Sequence, residues 1–282
     1  MAAARIPSLA LPSGATMPKF GLGTWRMGES TRNRADEVTA LAHGLALGVT
    51  LIDTAEMYGD GEAETIVADA VGNKRDDVFI VSKVLPNNSS KRGPLAACER
   101  SLKRLKTDRI DLYLLHWRGA PHLHETVEAF ETLKGAGKIL DWGVSNFDAA
   151  DMQELAATPN GDRCAANQVL YNLTRRGIEF DLMPWCRERK MPVMAYSPIE
   201  QGRMLGHAAL GEIAKRHKAT PAQVALAWLL RQDGVIVIPK ATALAHVDED
   251  VAALDLKLAA GDLAALDRAF PPPKKATSLD ML

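Results

Sequence analysis

Four residues of this 282-residue chain could together protonate a polarised oxygen: Asp53, Tyr58, Lys83 and His116. Lys83 ends the apolar run "VFIVSK" (78–83), where an unpaired ammonium is expensive to bury. Asp53 stands near the end of another such run, "TLIDT" (50–54), and offers the countercharge. Tyr58 follows five residues later, just ahead of a Gly-Asp-Gly turn. A phenol titrates near about 10 in water. Beside a buried ammonium its phenolate is stabilised, so the pattern predicts a phenol made more acidic by Lys83. His116 closes "IDLYLLH" (110–116) and can donate a hydrogen bond to a substrate oxygen. Such a set suits general-acid protonation of a carbonyl oxygen as charge develops on it. None of these side chains is a hydride donor, so the electrons must come from a bound cofactor.

The elements that carry these groups are legible as short apolar runs. Besides the three above they are "FGLGT" (20–24), "ILDWGVS" (139–145), "AANQVL" (165–170), "PVMAYS" (192–197) and "VIVIPK" (235–240). Near-continuous apolar character over this length suits strands covered on both faces. Helical stripes fill the gaps: Val38-Leu41-Ala42-Leu45, Leu95-Cys98-Leu102-Leu105, Leu123-Val127-Phe130-Lys134, Leu210-Ile213-Ala214-His217 and Val224-Trp228-Leu229. Gly48, Gly72 and Gly137 stand where helices should stop, and Asp148 is placed to cap one. Eight strand-like runs separated by helices predict a (β/α)8 TIM barrel, a single domain over residues 1–282. "LALPSGATMPKFG" (9–21) reads as an N-terminal β-hairpin capping the barrel floor. The Pro-rich tail "FPPPKKATSLDML" (270–282) is expected to be irregular and to cross the outside. In a parallel barrel the reacting face is formed by the carboxyl ends of the strands. Those ends hold Asp53, Lys83, His116, Ser145, Asn146, Gln168, Tyr196, Ser197 and Lys240, whereas the amino ends carry no comparable set.

With these residues in place, the chain resembles the aldo-keto reductases over nearly its whole length. The motifs are "GLGTW" (21–25), "LIDTAEMYG" (51–59), "VSK" (81–83), "LYLLHW" (112–117), "GVSNF" (143–147), "NQVLYN" (167–172), "AYSP" (195–198) and "IPKAT" (238–242). Within that family it is most similar to the bacterial branch that reduces methylglyoxal and small aldehydes. The resemblance implies Tyr58 as general acid, Lys83 as its pKa-lowering partner, Asp53 as the ion-pair partner of Lys83, and His116 as the donor orienting the carbonyl. It implies that Ser145, Asn146 and Gln168 bond the carboxamide of a nicotinamide, and that Tyr196 stacks on its ring. It also implies that the segment from Ser197 to Gly206 runs over the pyrophosphate, and that Lys240, Thr242, His246 and Glu249 surround the adenosine end.

Three positions depart from the family's common pattern. Ala241 stands where Ser is usual, His246 where Arg is usual, and Asp250 where Asn is usual. Arg holds a phosphate bidentately and stays charged, which His does not do at neutral pH. The expected cofactor is NADPH, with NADH bound more weakly but less strictly excluded. Trp25, Met57 and Trp117 are expected to line an open, adaptable substrate pocket accepting α-dicarbonyls and aromatic aldehydes.

Composition narrows the alternatives. A formal net charge of -1, and aromatics at only 5%, give no footprint for nucleic acid or an anionic membrane surface. No apolar run approaches the roughly 20 residues of a membrane span. Pro7 and Pro12 interrupt the N-terminal stretch, which reads as mature sequence. Cys98, Cys164 and Cys186 are widely spaced and predict free thiols in a reducing cytoplasm. No metal is expected: the H-x-H of His122 and His124 lies away from Asp53 and His116. The partners expected are small carbonyl compounds, and nothing demands more than a monomer. Two other functions compete: a Schiff-base lyase or aldolase using Lys83, and a non-catalytic subunit that binds cofactor without turnover.

Overall fold

The computed structural model describes residues 4–90 and 92–282, so the reading of the first three residues lies outside the description. Its centre is an eight-stranded parallel sheet, built from β3 (Gly21–Gly23), β4 (Leu51–Asp53), β5 (Phe79–Val84), β6 (Ile110–Leu115), β7 (Ile139–Ser145), β8 (Asn167–Leu170), β9 (Val193–Tyr196) and β10 (Val235–Val237). The strands pair in chain order from β3 to β10. The ends join through a parallel bridge between Phe20 and Val237 and a 2.8 Å bond from the Gly23 N–H to the Pro239 carbonyl, which closes the barrel.

Ahead of the barrel, β1 (Ser8–Ala10) and β2 (Thr16–Pro18) form an antiparallel hairpin. Leu11 and Met17 of the hairpin pack with Leu51, Val81, Leu112, Met194 and Ile236 of the barrel interior. The floor is latched by Asp141 of β7, which accepts from Ser13 Oγ and Lys134 Nζ, each at 2.6 Å. The hairpin therefore plugs the barrel at the end remote from the strands' carboxyl termini.

Around the sheet run α1 (Arg34–Ala46), α2 (Glu62–Val71), α3 (Gly93–Leu105), α4 (Leu123–Gly135), α5 (Ala149–Ala157), α6 (Leu182–Glu188), α7 (Ala208–His217), α8 (Pro221–Leu230), α9 (Leu244–Ala252) and α10 (Ala260–Ala269). Local signals set several of their ends. Asp148 caps α5 in a reciprocal capping box with Asp151. Thr220 does the same for α8 with Gln223, and Pro221 occupies the first turn. Gly72 takes a positive φ of 53° at the end of α2. The three cysteines are buried free thiols. Among the described residues no helix is long and apolar enough to cross a membrane.

Strand parity decides what enters the barrel. Leu51, Val81, Leu112, Leu114, Met194, Ile236 and Ile238 share the interior cluster, whereas Ile52, Ile80, Tyr113, Leu115, Val169, Val193 and Val237 pack outward against the helices. Side chains alternate faces along a strand, so Asp53, Lys83, His116, Gln168, Tyr196 and Lys240 fall on the interior parity at its open end. The tail is irregular and mostly exposed, as expected of a segment that crosses the outside. It passes over the carboxyl face, where Arg175 reaches Asp280 at 3.3 Å. Close packing of Thr277 on Gly177, where a Cβ would lie 2.5 Å from the threonine hydroxyl, fixes that route.

Candidate active site

The β4 and β5 ends bring a carboxylate and an ammonium together inside the barrel. Lys83 Nζ donates to Asp53 Oδ2 at 2.8 Å, to the Thr54 carbonyl at 2.8 Å and to Tyr58 Oη at 3.3 Å. Three donors meet three acceptors, which is how a fully buried ammonium is tolerated. Burial by itself would depress Lys83, but Asp53 and Tyr58 outweigh it and hold the ammonium above its ordinary value. The second oxygen of Asp53 accepts from Gln168 Nε2 at 2.7 Å, so the carboxylate is committed on both sides.

Tyr58 reaches this pair through an unusual turn. Gly59, Asp60 and Gly61 all take left-handed backbone, with φ of 55°, 53° and 93°. A Cβ at Gly59 would lie 2.7 Å from the Met27 carbonyl, and one at Gly61 would meet the Arg104 side chain at 2.5 Å, so both positions require glycine. The expectation of a net more acidic phenol is corrected here. Protein surrounds the Tyr58 ring and pushes its pKa up; the Lys83 charge pulls it down, but burial wins. Lys83 thus offsets part of a desolvation cost, and the phenol stays protonated at neutral pH.

His116 follows the end of β6, its ring edge-on to Tyr58 with centroids 5.7 Å apart. Burial first, then the Lys83 charge, lowers its pKa to about 2. The imidazole is therefore neutral and carries one N–H, and Nδ1 is buried without a partner among the described residues. This has a measurable consequence for stability. In the unfolded chain the ring titrates at its ordinary value of 6.5. Between that value and about 2 the unfolded state binds a proton that the folded state does not. The contribution of His116 is thus fully present above the unfolded pKa and is lost as pH falls below it. From pH 7 to pH 5 the wild type is expected to lose about 2 kcal/mol more than His116→Gln, read as urea midpoints at the two pH values. Equal losses in both proteins would contradict a neutral, buried ring.

A second polar group lies across the mouth. Ser145 Oγ donates to the Gln168 carbonyl at 2.8 Å; Asn146 Nδ2 donates to the His116 carbonyl at 3.1 Å and to Ser145 Oγ at 3.2 Å. Tyr196 Oη donates to Asn146 Oδ1 at 3.0 Å, which fixes the plane of its half-buried ring. Asn146 and Ser197 both take positive φ, 58° and 46°, as do Glu200 and Gln201. Left-handed residues other than glycine gather at functional sites, where their strain is held by the surroundings. Trp25 and Met57 are exposed at 38% and 40%, and the Trp117 ring lies 5.0 Å from that of His116, so all three are available as walls.

Beyond β10, Lys240 and Thr242 line a cleft of about 560 Å3 with Arg26, Asn33 and Glu37. Burial lowers the Lys240 pKa, Glu37 and Glu29 raise it, and Arg26 lowers it again. The cleft thus holds two cations and two carboxylates, Asp36 and Glu37, and Arg26 and Lys240 are the groups in it that suit a phosphate. The sequence reading missed Arg26, although it directly follows "GLGTW" in a segment read only for its glycines and Trp25. His246 is exposed on α9, and Glu249 accepts from Thr220; neither lines this cleft. Asp250, buried beside Glu249, has its carboxyl pushed up to about 7, first by burial. A larger cleft of about 820 Å3, between Leu9, Lys19, Leu230 and Leu256, lies toward the hairpin and holds none of these groups.

With this geometry in hand, comparison with known proteins is specific. The model of the Aldo/keto reductase family matches residues 19–270. Methylglyoxal reductase YeaE of Escherichia coli (strain K12) is 53% identical over 272 residues, covering 95% of this chain and 96% of that protein. Glyoxal reductase of Bacillus subtilis (strain 168) is 35% identical over 257 residues, covering 91% and 90%. The crystal structure of an aldo/keto reductase from Klebsiella pneumoniae in complex with NADP and acetate superposes with a TM-score of 0.96 at 49% identity, over 99% of this chain and all of that one.

Proposed function

The chain belongs to the aldo/keto reductase family, and on that premise we propose that it reduces aldehydes and α-dicarbonyls of the methylglyoxal type to alcohols with NADPH. The observation that carries the reading is the buried Asp53–Lys83–Tyr58 chain ending edge-on to a neutral His116. The residues present fit a nicotinamide dinucleotide. Arg26 and Lys240 offer cations for its phosphates, Ser145, Asn146 and Gln168 stand together at the strand ends as the groups that would bond its carboxamide, and Tyr196 presents a ring held by Asn146. When bound, the reduced nicotinamide supplies the hydride.

The protein's own part is proton transfer and orientation. Tyr58 Oη gives its proton to the substrate oxygen as the carbonyl carbon accepts two electrons. The phenolate left behind is stabilised by the Lys83 ammonium, and Asp53 keeps that ammonium charged. Because burial raises the phenol, its proton is in place at neutral pH before each turnover. Neutral His116 donates its single N–H to the same oxygen and adds no second charge beside Lys83. Trp25, Met57 and Trp117 leave the mouth apolar and open, which favours small and aromatic aldehydes over one rigid substrate.

A Schiff-base reaction at Lys83 is disfavoured by its bonding. The ammonium is charged and all three of its hydrogens have acceptors, so no lone pair is available for attack. Quenching of protein fluorescence by NADPH and NADH, followed by NADPH oxidation with an aldehyde panel, tests the proposal. Binding of NADPH tighter than NADH is expected, with turnover on methylglyoxal and aromatic aldehydes. A preference for NADH, or borohydride trapping of substrate on Lys83, would overturn it.

A further inference from the structure

Two residues before Tyr58 lies a carboxylate that the chemistry above does not use. Glu56 is 8% exposed. Its Oε1 accepts from the Leu85 N–H at 2.8 Å and from Asn88 Nδ2 at 3.0 Å, and its Oε2 lies 3.5 Å from Arg100. Its own N–H donates to the Lys83 carbonyl at 3.3 Å. One residue therefore ties the loop that carries Tyr58 to the loop that leaves Lys83.

The tie extends to the third strand end. Residues Pro86–Asn88 form a 3-10 turn. Within its surroundings the Ser89 hydroxyl donates to the Pro86 carbonyl at 2.7 Å, and Thr126 of α4 donates to the Ser89 carbonyl at 2.7 Å. Pro86 packs so closely on Gly119 that a Cβ there would lie 2.6 Å from the proline ring. Gly119 stands three residues beyond His116. The loops after β4, β5 and β6, which follow Asp53, Lys83 and His116, are thus joined through one turn anchored by the buried Pro86, and Glu56 holds that turn from the Tyr58 side. The Gly59–Gly61 segment beyond Tyr58 is a short left-handed 3-10 turn, with the Asp60 N–H bonded to the Met57 carbonyl at 3.3 Å, and among the described residues it makes no bond of its own to the loop after Lys83.

We propose that Glu56 is a positioning residue for the reduction, setting the approach of the Tyr58 hydroxyl to Lys83 by clamping the two loops in register. The proposal rests on Tyr58 as the proton donor. The polarity of the clamp makes it specific: both close bonds go to Oε1 as acceptor, so a glutamine retains them and an alanine removes them. Displacement of a reacting group by about 1 Å can cost about 100-fold in rate.

The test is steady-state kinetics with NADPH and methylglyoxal for Glu56→Ala, Glu56→Gln, Asn88→Ala and Tyr58→Phe, with NADPH binding measured by fluorescence. Glu56→Ala is expected to lower kcat about 10- to 100-fold with little change in aldehyde KM or NADPH affinity. Glu56→Gln is expected to remain within about threefold of wild type, because its acceptor oxygen is unchanged. Asn88→Ala, which cuts the clamp from the other side, should lower kcat in the same sense by less. Wild-type kcat in Glu56→Ala, or equal loss in Glu56→Gln and Glu56→Ala, overturns the proposal. Should Glu56→Ala fail to fold, Asn88→Ala decides, with unchanged kcat counting against the clamp. Tyr58→Phe separates the two claims: wild-type turnover there removes the proton-donor reading itself, whereas its loss beside an unaffected Glu56→Ala removes only the clamp.

Discussion

Tyr58→Phe is expected to lower the turnover of an aldehyde by about 100- to 10,000-fold, the range for loss of a positioned general acid. The variant removes one oxygen from a site whose other contacts remain. Lys83 keeps Asp53 and the Thr54 carbonyl, and His116 keeps the ring face against which it sits edge-on. Stability and NADPH affinity should therefore change little. The loss should appear equally in kcat and kcat/KM, the signature of an interaction made only in the transition state. Unchanged kcat with raised KM would assign Tyr58 to binding. A parallel fall in cofactor affinity would point to damage beyond the hydroxyl.

The second large effect concerns Lys83, and it separates charge from chemistry. Lys83→Met should inactivate the protein and also destabilise it by about 3–5 kcal/mol, because Asp53 is left buried with only the Gln168 amide on one oxygen. Asp53→Asn strands the ammonium in the same way. The double variant removes both charges and should recover most of the stability, since a neutral pair of similar size no longer pays for an unpaired buried ion. Activity should not recover, because no ammonium remains to hold the phenolate. Urea midpoints for the two single variants and the double, set beside their aldehyde turnover, give the coupling directly. Additive destabilisation would mean that the pair is not coupled in the folded protein.

How much of this was legible in the sequence depends on the kind of signal. "IDLYLLH" and "ILDWGVS" become β6 and β7 almost residue for residue, because runs covered on both faces are apolar along their length. The same feature hides which face is which. Leu112 points into the barrel and Tyr113 out, and nothing in their hydrophobicity distinguishes them. The polar strand ends supplied the parity instead: Lys83 and Asp53 had to face each other, so Val81 and Leu51 face inward with them. Helices with strong stripes were readable, whereas α6 has a proline at position 184 and α2 has Gly61 at its N-cap, with no side-chain cap.

Two site features were not readable because they depend on depth and on chain path. The sequence places a lysine near Tyr58 but not the protein packed around the ring, and that packing reverses the net pKa direction. Arg26 meets Lys240 only once the chain after β3 and the chain after β10 come together at the seam of the closed barrel. The tail's path over the carboxyl face likewise depends on contacts of Thr277 and Asp280 with the loop after β8, which a Pro-rich composition does not reveal.

The central claim is that the proton reaching the substrate oxygen comes from Tyr58 while hydride reaches the carbon. Rapid mixing of the NADPH-loaded protein with methylglyoxal, monitoring the first turnover with protiated and with 4-deuterated cofactor, addresses that step alone. The account predicts that Tyr58→Phe slows the first turnover itself by at least about 100-fold and shows a primary deuterium effect on it. A first turnover as fast in Tyr58→Phe as in the wild type would contradict it.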